Sequence, residues 1–354
     1  MTPRLSCPAC LVAILLCAAF TCDAQVPPDG PAMDAGEAAQ LQAVQAAAGA
    51  YYARTATALA ASGKPRELAF AATLLRLADW SPPEAPPGGD ARSQPSPRDA
   101  RVGQWRQLAS ARAGSDMLAN ALLMQADTRA DAAIRAQAAD RWQRLEPDNL
   151  APLLVAGDQV DAWLPKAGAH ARLDFHYYEQ LRWMQAALAA HPPRADEQAI
   201  FGGNDVAPDA AAAVASAGIL AAVAMPALQP LSAACRGEAL EATPARRADC
   251  RQVALTAVET SDTSLGTSVG IALLQATAAT PEQQADARAQ RRRHDWQMLE
   301  WGRIAGAQPD GGAGQFVRLL RDPAVRGEQD LIERVLAETG VAPEPPAGWQ
   351  PPRR

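Results

Sequence analysis

The chain has 354 residues, nearly half of them apolar (48%) but few aromatic (5%), and a formal net charge of −6. That length holds one large or two ordinary domains with real cores, and the acidic balance excludes a nucleic-acid binder, which needs a basic face to meet phosphates. Much of the apolar content is alanine, which favours helix and packs thinly, so many closely spaced helices with modest cores are expected.

Residues 1–24 read as an export signal: Arg4 in a short charged start, an apolar run from Leu11 to Phe20, and Cys22-Asp23-Ala24 leading to a mature chain that begins at Gln25. A lipoprotein signal at Cys17 or Cys22 is the alternative, although Leu16 and Thr21 are poor residues to precede such a cysteine. Ordinary cleavage removes Cys7, Cys10, Cys17 and Cys22 and leaves only Cys235 and Cys250. A lone pair in an exported chain predicts a disulfide, and closing that loop stabilises by about 3 kcal/mol on the chain-entropy estimate. A periplasmic or secreted location is the expectation.

After Val26 to Pro31, the residues Leu41, Val44, Ala48, Tyr51, Thr55 and Leu59 recur at three- and four-residue steps, one face of a long helix that Ser62-Gly63 ends. Pro65 suits the first turn of the next helix, whose seam is Leu68, Ala71, Leu75 and Ala78. Residues 81–98 carry repeated prolines and Gly88-Gly89 and form an insertion that cannot continue a helix. The helical pattern resumes from Asp99 to Ala162 through Trp105, Leu108, Leu118, Leu122, Ile134, Ala138, Trp142 and Leu145.

Leu-Ala opens a helix at Leu68-Ala69, Leu118-Ala119 and Leu150-Ala151, and an apolar pair follows each. With residues 81–98 set aside these starts stand 32 residues apart, a spacing that fits stacked helix pairs whose apolar faces are hidden by neighbouring pairs. At the joint, Leu145-x-Pro147-x-Asn149 resembles the boundary of a tetratricopeptide repeat. Leu153, Ala156, Gly157 and Val160 fall where that family's first helix carries its large-small-small-large set, and Ala169 and Leu173 fit the second helix. The resemblance covers about one repeat; Trp142 and His176 stand where the family has a small residue. It implies a helix-pair architecture.

A helix is expected from about Ala169 to Ala190, with Leu173, Tyr177, Leu181, Met184 and Leu188 buried and His176, Gln180 and Trp183 on an adjoining face. His191-Pro192-Pro193 breaks it, and residues 191–208 read as a linker between an N-terminal helical region (25–190) and a C-terminal one (209–340). Ala210 to Met225 is apolar but too short and alanine-rich to cross a bilayer, so a buried helix and no membrane span are expected. Helices near 226–240 and 244–260 follow, stapled by Cys235 and Cys250, and then one over 263–278. Thr280-Pro281-Glu282-Gln283 opens a helix to about Ile304, with threonine as cap, proline in the first turn and glutamine reaching back. Residues 329–339 supply the last helix, and 341–354 read as a disordered proline-rich tail. No sustained alternation of β-branched or aromatic residues marks a strand. The predicted fold is all-α, with helical hairpins stacked as an αα solenoid-like array, in one or two lobes.

Chemistry is sparsely marked. Gly266-Thr267-Ser268-Val269-Gly270 matches G-x-S-x-G, the elbow that exposes a nucleophilic serine, with Asp286 and His294 following in the right order. The elbow needs a strand before it, and the preceding segment reads as helix, so small residues in a packed helix are the competing account. His170 and Asp174 share a helix face without a third metal ligand, and no cofactor fingerprint occurs, so neither metal nor cofactor is expected. The arginine run Arg288, Arg291, Arg292 and Arg293 is either a contact for an acidic surface or a solvated helix face. His176, Tyr178, Arg182 and Trp183 are the candidate binding residues, since aromatic and arginine side chains make large contacts. The expected role is a non-catalytic scaffold binding a protein or peptide partner in the cell envelope; the alternative is an envelope enzyme such as a serine hydrolase using Ser268.

Overall fold

The computed structural model describes residues 35–79, 100–125, 131–156, 160–197, 207–223, 228–308 and 310–352. The expected export signal, the proline-rich insertion 81–98 and the middle of the expected linker lie outside these residues. The described chain is all-α: its helices pack against sequence neighbours in pairs, and no strand forms among the described residues. It divides into two compact units, and not where the linker at 191–208 suggested. Met1–Ile134 with Trp183–Val223 form unit 1, and Arg135–Arg182 with Ala224–Arg354 form unit 2. Proline and glycine mark where helices stop, but which helices share a core is decided by long-range packing that those residues do not encode.

Unit 1 is built around α2 (Pro65–Ala78). Its residues from Leu68 to Leu75 are all buried, and the segment is apolar or small at every one of those positions, so it can only sit inside a core. α1 (Ala35–Ala60), α3 (Ala100–Ala113) and α4 (Met117–Met124) pack on it. Gly63, at φ 66°, takes the left-handed turn between α1 and α2, and its carbonyl accepts from Arg112 Nη1 at 2.7 Å. Asp116 caps α4 by accepting from the Ala119 N–H at 3.0 Å, while its carboxylate takes Arg66 Nε at 2.7 Å. In the expected seam of α1, Tyr51, Thr55 and Leu59 are buried, while Leu41, Val44 and Ala48 are half-buried. The residues after Pro192 are held to α1 by Arg54, which grips both oxygens of the buried Glu197 at 2.9 and 2.6 Å. That contact keeps the Glu197 carboxyl below the usual carboxylate range. α9 (Pro208–Val223) has the buried small-residue face its sequence implies, and no described helix is long and apolar enough to cross a membrane.

Unit 2 takes in α5 (Ala132–Leu145) from Arg135 on, α6 (Ala151–Ala156), α7 (Val160–Trp163) with a 3-10 turn at Leu164–Ala169, and the first residues of α8 (Tyr177–Ala189). It continues with α10 (Gln229–Ala234), α11 (Arg246–Thr260), α12 (Ser264–Thr277), α13 (Pro281–Ala307), α14 (Ala313–Leu320) and α15 (Glu328–Glu338). Cys235 and Cys250, both fully buried, are joined by a disulfide. It ties the end of the short α10 to the start of α11, since the expected helix over 226–240 shrinks to α10 and a 3-10 turn at Gly237–Glu241. Thr280 caps α13 by accepting from the Gln283 N–H at 3.3 Å, and Gln283 reaches back to the Ala279 N–H at 2.9 Å.

Two expectations are corrected here. The helix expected from Ala169 begins only at Tyr177, and residues 170–176 run non-helically between two other elements. Residues 341–352, expected to be a disordered tail, lie along α13 with their carbonyls accepting from its side chains. Proline lacks an N–H but keeps its carbonyl, and the donors stand in a row on the helix.

Candidate functional site

Unit 2 holds a dense polar cluster at the joint the repeat resemblance marked. α5 stops before Pro147, and Asn149 caps the next helix by accepting from the Ala151 N–H at 3.1 Å. The same Asn149 amide holds residue 174 at both backbone atoms, accepting from the Asp174 N–H at 3.1 Å and donating to its carbonyl at 2.8 Å. Around it, the Ala171 N–H donates to the Asp148 carbonyl at 2.9 Å, and the Leu150 N–H to the Arg172 carbonyl at 2.9 Å. The opposite edge of the stretch is met by residues at and just beyond the end of α11. Alternate N–H groups donate there: Leu173 to Thr260 Oγ1 at 2.8 Å, Phe175 to Asp262 Oδ1 at 2.9 Å and Tyr177 to Asp262 Oδ2 at 2.7 Å. Residues 171–177 are thus held on both edges like an inserted strand, although most of the groups holding them are side chains and loop carbonyls. These bonds outcompete the helix that the apolar spacing implied.

His176 closes the stretch with φ 54°, the one non-glycine residue of positive φ among the described residues, a conformation that costs roughly 1 kcal/mol for an L side chain. Its ring is pinned at both nitrogens, Nε2 to Glu146 Oε2 at 2.9 Å and Nδ1 to Glu179 Oε2 at 3.0 Å. Burial pulls the imidazole pKa down, but the Asp174 charge, then the Glu146 bond and charge and the Glu179 charge, raise it above the usual value. With a carboxylate oxygen at each ring nitrogen, the surroundings favour the protonated ring. Burial would raise Glu146, yet hydrogen bonds from Asn149, His176, Trp142 and Arg172 hold it down at about 2. Asp262 goes the other way: burial first, and then the neighbouring Asp174 charge, push it up to about 8 against the two backbone N–H donors. Glu328 is also raised by burial, opposed by its bonds from the Ser264 N–H and hydroxyl at 2.5 and 2.8 Å.

Displaced acids of this kind are what a proton-transfer site needs. Here, however, both Asp262 oxygens face backbone N–H groups, both His176 nitrogens face carboxylates, and Asp174 accepts from the His176 N–H at 2.8 Å and from Arg172 at 3.2 Å. The cluster therefore fixes backbone; it does not present a reactive atom. Among the described residues, no three His, Cys, Asp or Glu side chains converge as metal ligands.

The four residues singled out in the sequence are distributed as follows. His176 belongs to the cluster. Tyr178 is 2% exposed, and burial drives its phenol pKa well up. Arg182 crosses the Tyr178 ring at 6.0 Å and donates to one carbonyl at the end of α14, Leu320 at 2.7 Å, and to two in the turn beyond it, Asp322 at 3.1 Å and Val325. Trp183 lies in unit 1, edge-on to Phe70 at 5.6 Å. Tyr178 and Arg182 are thus brought together, but as packing and as a cap for a helix terminus. The sequence analysis did not find Glu146, Thr260 and Asp262; it marked Asn149 only as part of a repeat boundary, and Asp174 only beside His170 on an expected helix face that does not form.

Ser268 lies within α12, half-buried, with helix on either side and no strand before it. Of the flanking glycines, Gly270 serves the α11–α12 contact, where a Cβ would stand 2.9 Å from Ala257 Cβ and 3.0 Å from the Ala254 carbonyl, and Gly266 makes room for Ser261 and Thr263 in the turn between the helices.

A second arrangement lies on α13. Trp296 Nε1 donates to the Ala342 carbonyl at 2.9 Å, Gln297 Nε2 to the Pro343 carbonyl at 3.2 Å and Arg292 Nη2 to the Pro346 carbonyl at 2.6 Å. Arg293 pairs with Glu344, and the Trp349 ring meets the Trp296 ring edge-on at 5.4 Å. This face of α13 holds the chain's own residues 342–349 mainly through backbone carbonyls, and the segment bends at Pro343-Glu344 and turns at Pro346–Trp349, with Gly348 at φ 77°. Comparison with protein-family models, with curated proteins and with solved structures finds no match.

Proposed function

We propose that this chain is an exported, non-catalytic helical scaffold that binds a protein or peptide partner in the cell envelope. One observation carries the reading: the donors Arg292, Trp296 and Gln297, aligned on α13, hold a non-helical segment by its carbonyls, contacts that any peptide backbone can supply whatever its side chains. The buried Cys235–Cys250 disulfide suits an oxidising compartment, and the resemblance of Leu145 to Val160 to a tetratricopeptide repeat fits a binding architecture. Nothing in the surroundings of Ser268 favours the hydrolase alternative.

The test is site-specific photo-cross-linking in the native host. Leu299, 42% exposed and one turn past Trp296 on α13, carries the cross-linker, and Leu145, 41% exposed on α5, is the control. A discrete adduct formed from position 299 and not from 145 is expected in the envelope fraction. No adduct from 299, or retention of the chain in the cytoplasm, overturns the reading.

A further inference from the structure

The segment seated on α13 reads Pro343-Glu344-Pro345-Pro346-Ala347-Gly348-Trp349. Three features of its recognition suit proline-rich chain. The bonds go to carbonyls, which proline retains, and none needs a peptide N–H, which proline lacks. Trp296 donates its indole N–H to the Ala342 carbonyl while its ring meets Trp349, which follows a turn at Pro346–Trp349 with Gly348 at φ 77°, a turn that proline and glycine favour. Arg293 adds a charge contact to the acidic residue between the prolines. The same spacing of side chains occurs once more in this chain: Pro83-Glu84-Ala85-Pro86-Pro87-Gly88 repeats the Pro-Glu-x-Pro-x-Gly pattern of 343–348.

We propose that the Arg292–Trp296–Gln297 face of α13 is a recognition site for proline-rich peptides of the pattern Pro-Glu-x-Pro-x-Gly, and that residues 341–352 are a resident ligand in cis that competes with a partner's segment for it. The inference rests on the peptide-scaffold reading above and gives the chemistry of the partner. Competition follows from local concentration: a tethered segment faces its site at an effective concentration of order millimolar, so a partner binds weakly until the tail is loosened.

The experiment uses the full chain and a fluorescent synthetic peptide with the sequence of residues 80–90, which carries the pattern but is not the tail. Fluorescence anisotropy is measured on the wild-type chain and on a tail-loosened variant, Glu344→Ala with Trp349→Ala. The loosened variant is expected to bind at least tenfold more tightly than wild type. Adding Arg292→Ala to it should weaken binding at least tenfold again, and a scrambled peptide should not bind. Arg292 is half-buried and on the helix surface, so this variant is expected to keep the wild-type circular-dichroism spectrum. No binding by the loosened variant, equal binding by wild type, or binding that ignores Arg292 each overturns the proposal. A partner adduct at position 299 together with any of these would leave the scaffold reading standing and remove only the proline-rich class.

Discussion

The Asn149 side chain holds Asp174 at both backbone atoms, at 3.1 Å from its N–H and 2.8 Å from its carbonyl, while capping its own helix at the Ala151 N–H. Asn149 is fully buried, so Asn149→Ala strands three backbone groups. At about 1–3 kcal/mol for each buried group left unsatisfied, and with partial relaxation, a loss of about 2–4 kcal/mol is expected. Urea denaturation measures the loss. Amide exchange should rise first across residues 171–177; a loss under about 1 kcal/mol with unchanged exchange would show that the stretch is held by other contacts.

Sequence and structure part at this joint for a physical reason. Helix starts and stops are written locally, and Thr280, Pro281, Pro65 and Gly63 act as their residue types dictate. The apolar spacing marks Leu173, Leu181, Met184 and Leu188 as buried, which they are, but Tyr177 of the same seam is half-buried while His176 and Gln180 of the adjoining face are buried. What spacing does not encode is whether residues 170–176 keep their backbone bonds inside a helix or give them to Asn149, Thr260 and Asp262, the last two more than 80 residues away. A non-helical stretch has an apolar residue at 173 and at 175 because it too is buried, so the pattern is shared by both outcomes. The α13 face was hidden likewise: an arginine run beside a proline-rich end reads as solvated helix and loose tail until the two are seen together.

Asp262 and Glu146 give unit 2 opposite pH limbs. Asp262 is raised in the folded chain to about 8 from 3.8, so folding takes up a proton; its contribution is full below about pH 4 and is lost as pH rises toward 8. His176, raised above 6.5, acts in the same direction, its contribution present below 6.5 and lost as pH rises through the folded value. Glu146 is lowered to about 2 from 4.5, so its contribution is present above 4.5 and lost as pH falls toward 2. Asp262→Asn should flatten the decline between pH 4 and 8, and Glu146→Gln should flatten the acid limb below 4.5, in thermal melts across that range. A decline of unchanged slope in Asp262→Asn would show that Asp262 does not titrate as assigned.

Glycines at 270 and 302 respond oppositely to alanine. At Gly270 the added methyl meets Ala257 and Val258 at 2.9 Å and the Ala254 backbone at 3.0 Å, so α11 and α12 must separate. Overpacking of this kind costs about 1–3 kcal/mol. At Gly302, within α13, the same methyl meets nothing within 4 Å, and relief of glycine's backbone freedom should stabilise by about 0.5–1 kcal/mol. Melting temperatures of the two single variants measure both signs; a neutral Gly270→Ala would mean that the helix pair is looser than its geometry.

Arg182 separates a structural from a recognition role. Its guanidinium donates from Nε to the Leu320 carbonyl, which the helix end leaves without an intrahelical partner, and from Nη2 to the carbonyls of Asp322 and Val325 in the turn that follows. Charge-assisted bonds of this kind contribute roughly 1.5–3 kcal/mol each before overlap, so Arg182→Ala should cost unit 2 about 2–3 kcal/mol and raise amide exchange at 320–325. Arg182→Lys should recover only part of this, because an ammonium cannot reproduce the planar fork that reaches several carbonyls at once. A residue whose task is recognition would behave differently: Arg182→Ala would leave melting and exchange within about 0.5 kcal/mol of wild type and abolish a partner adduct. That outcome would return Arg182 to the binding face expected from the sequence and reject its assignment as the cap of α14.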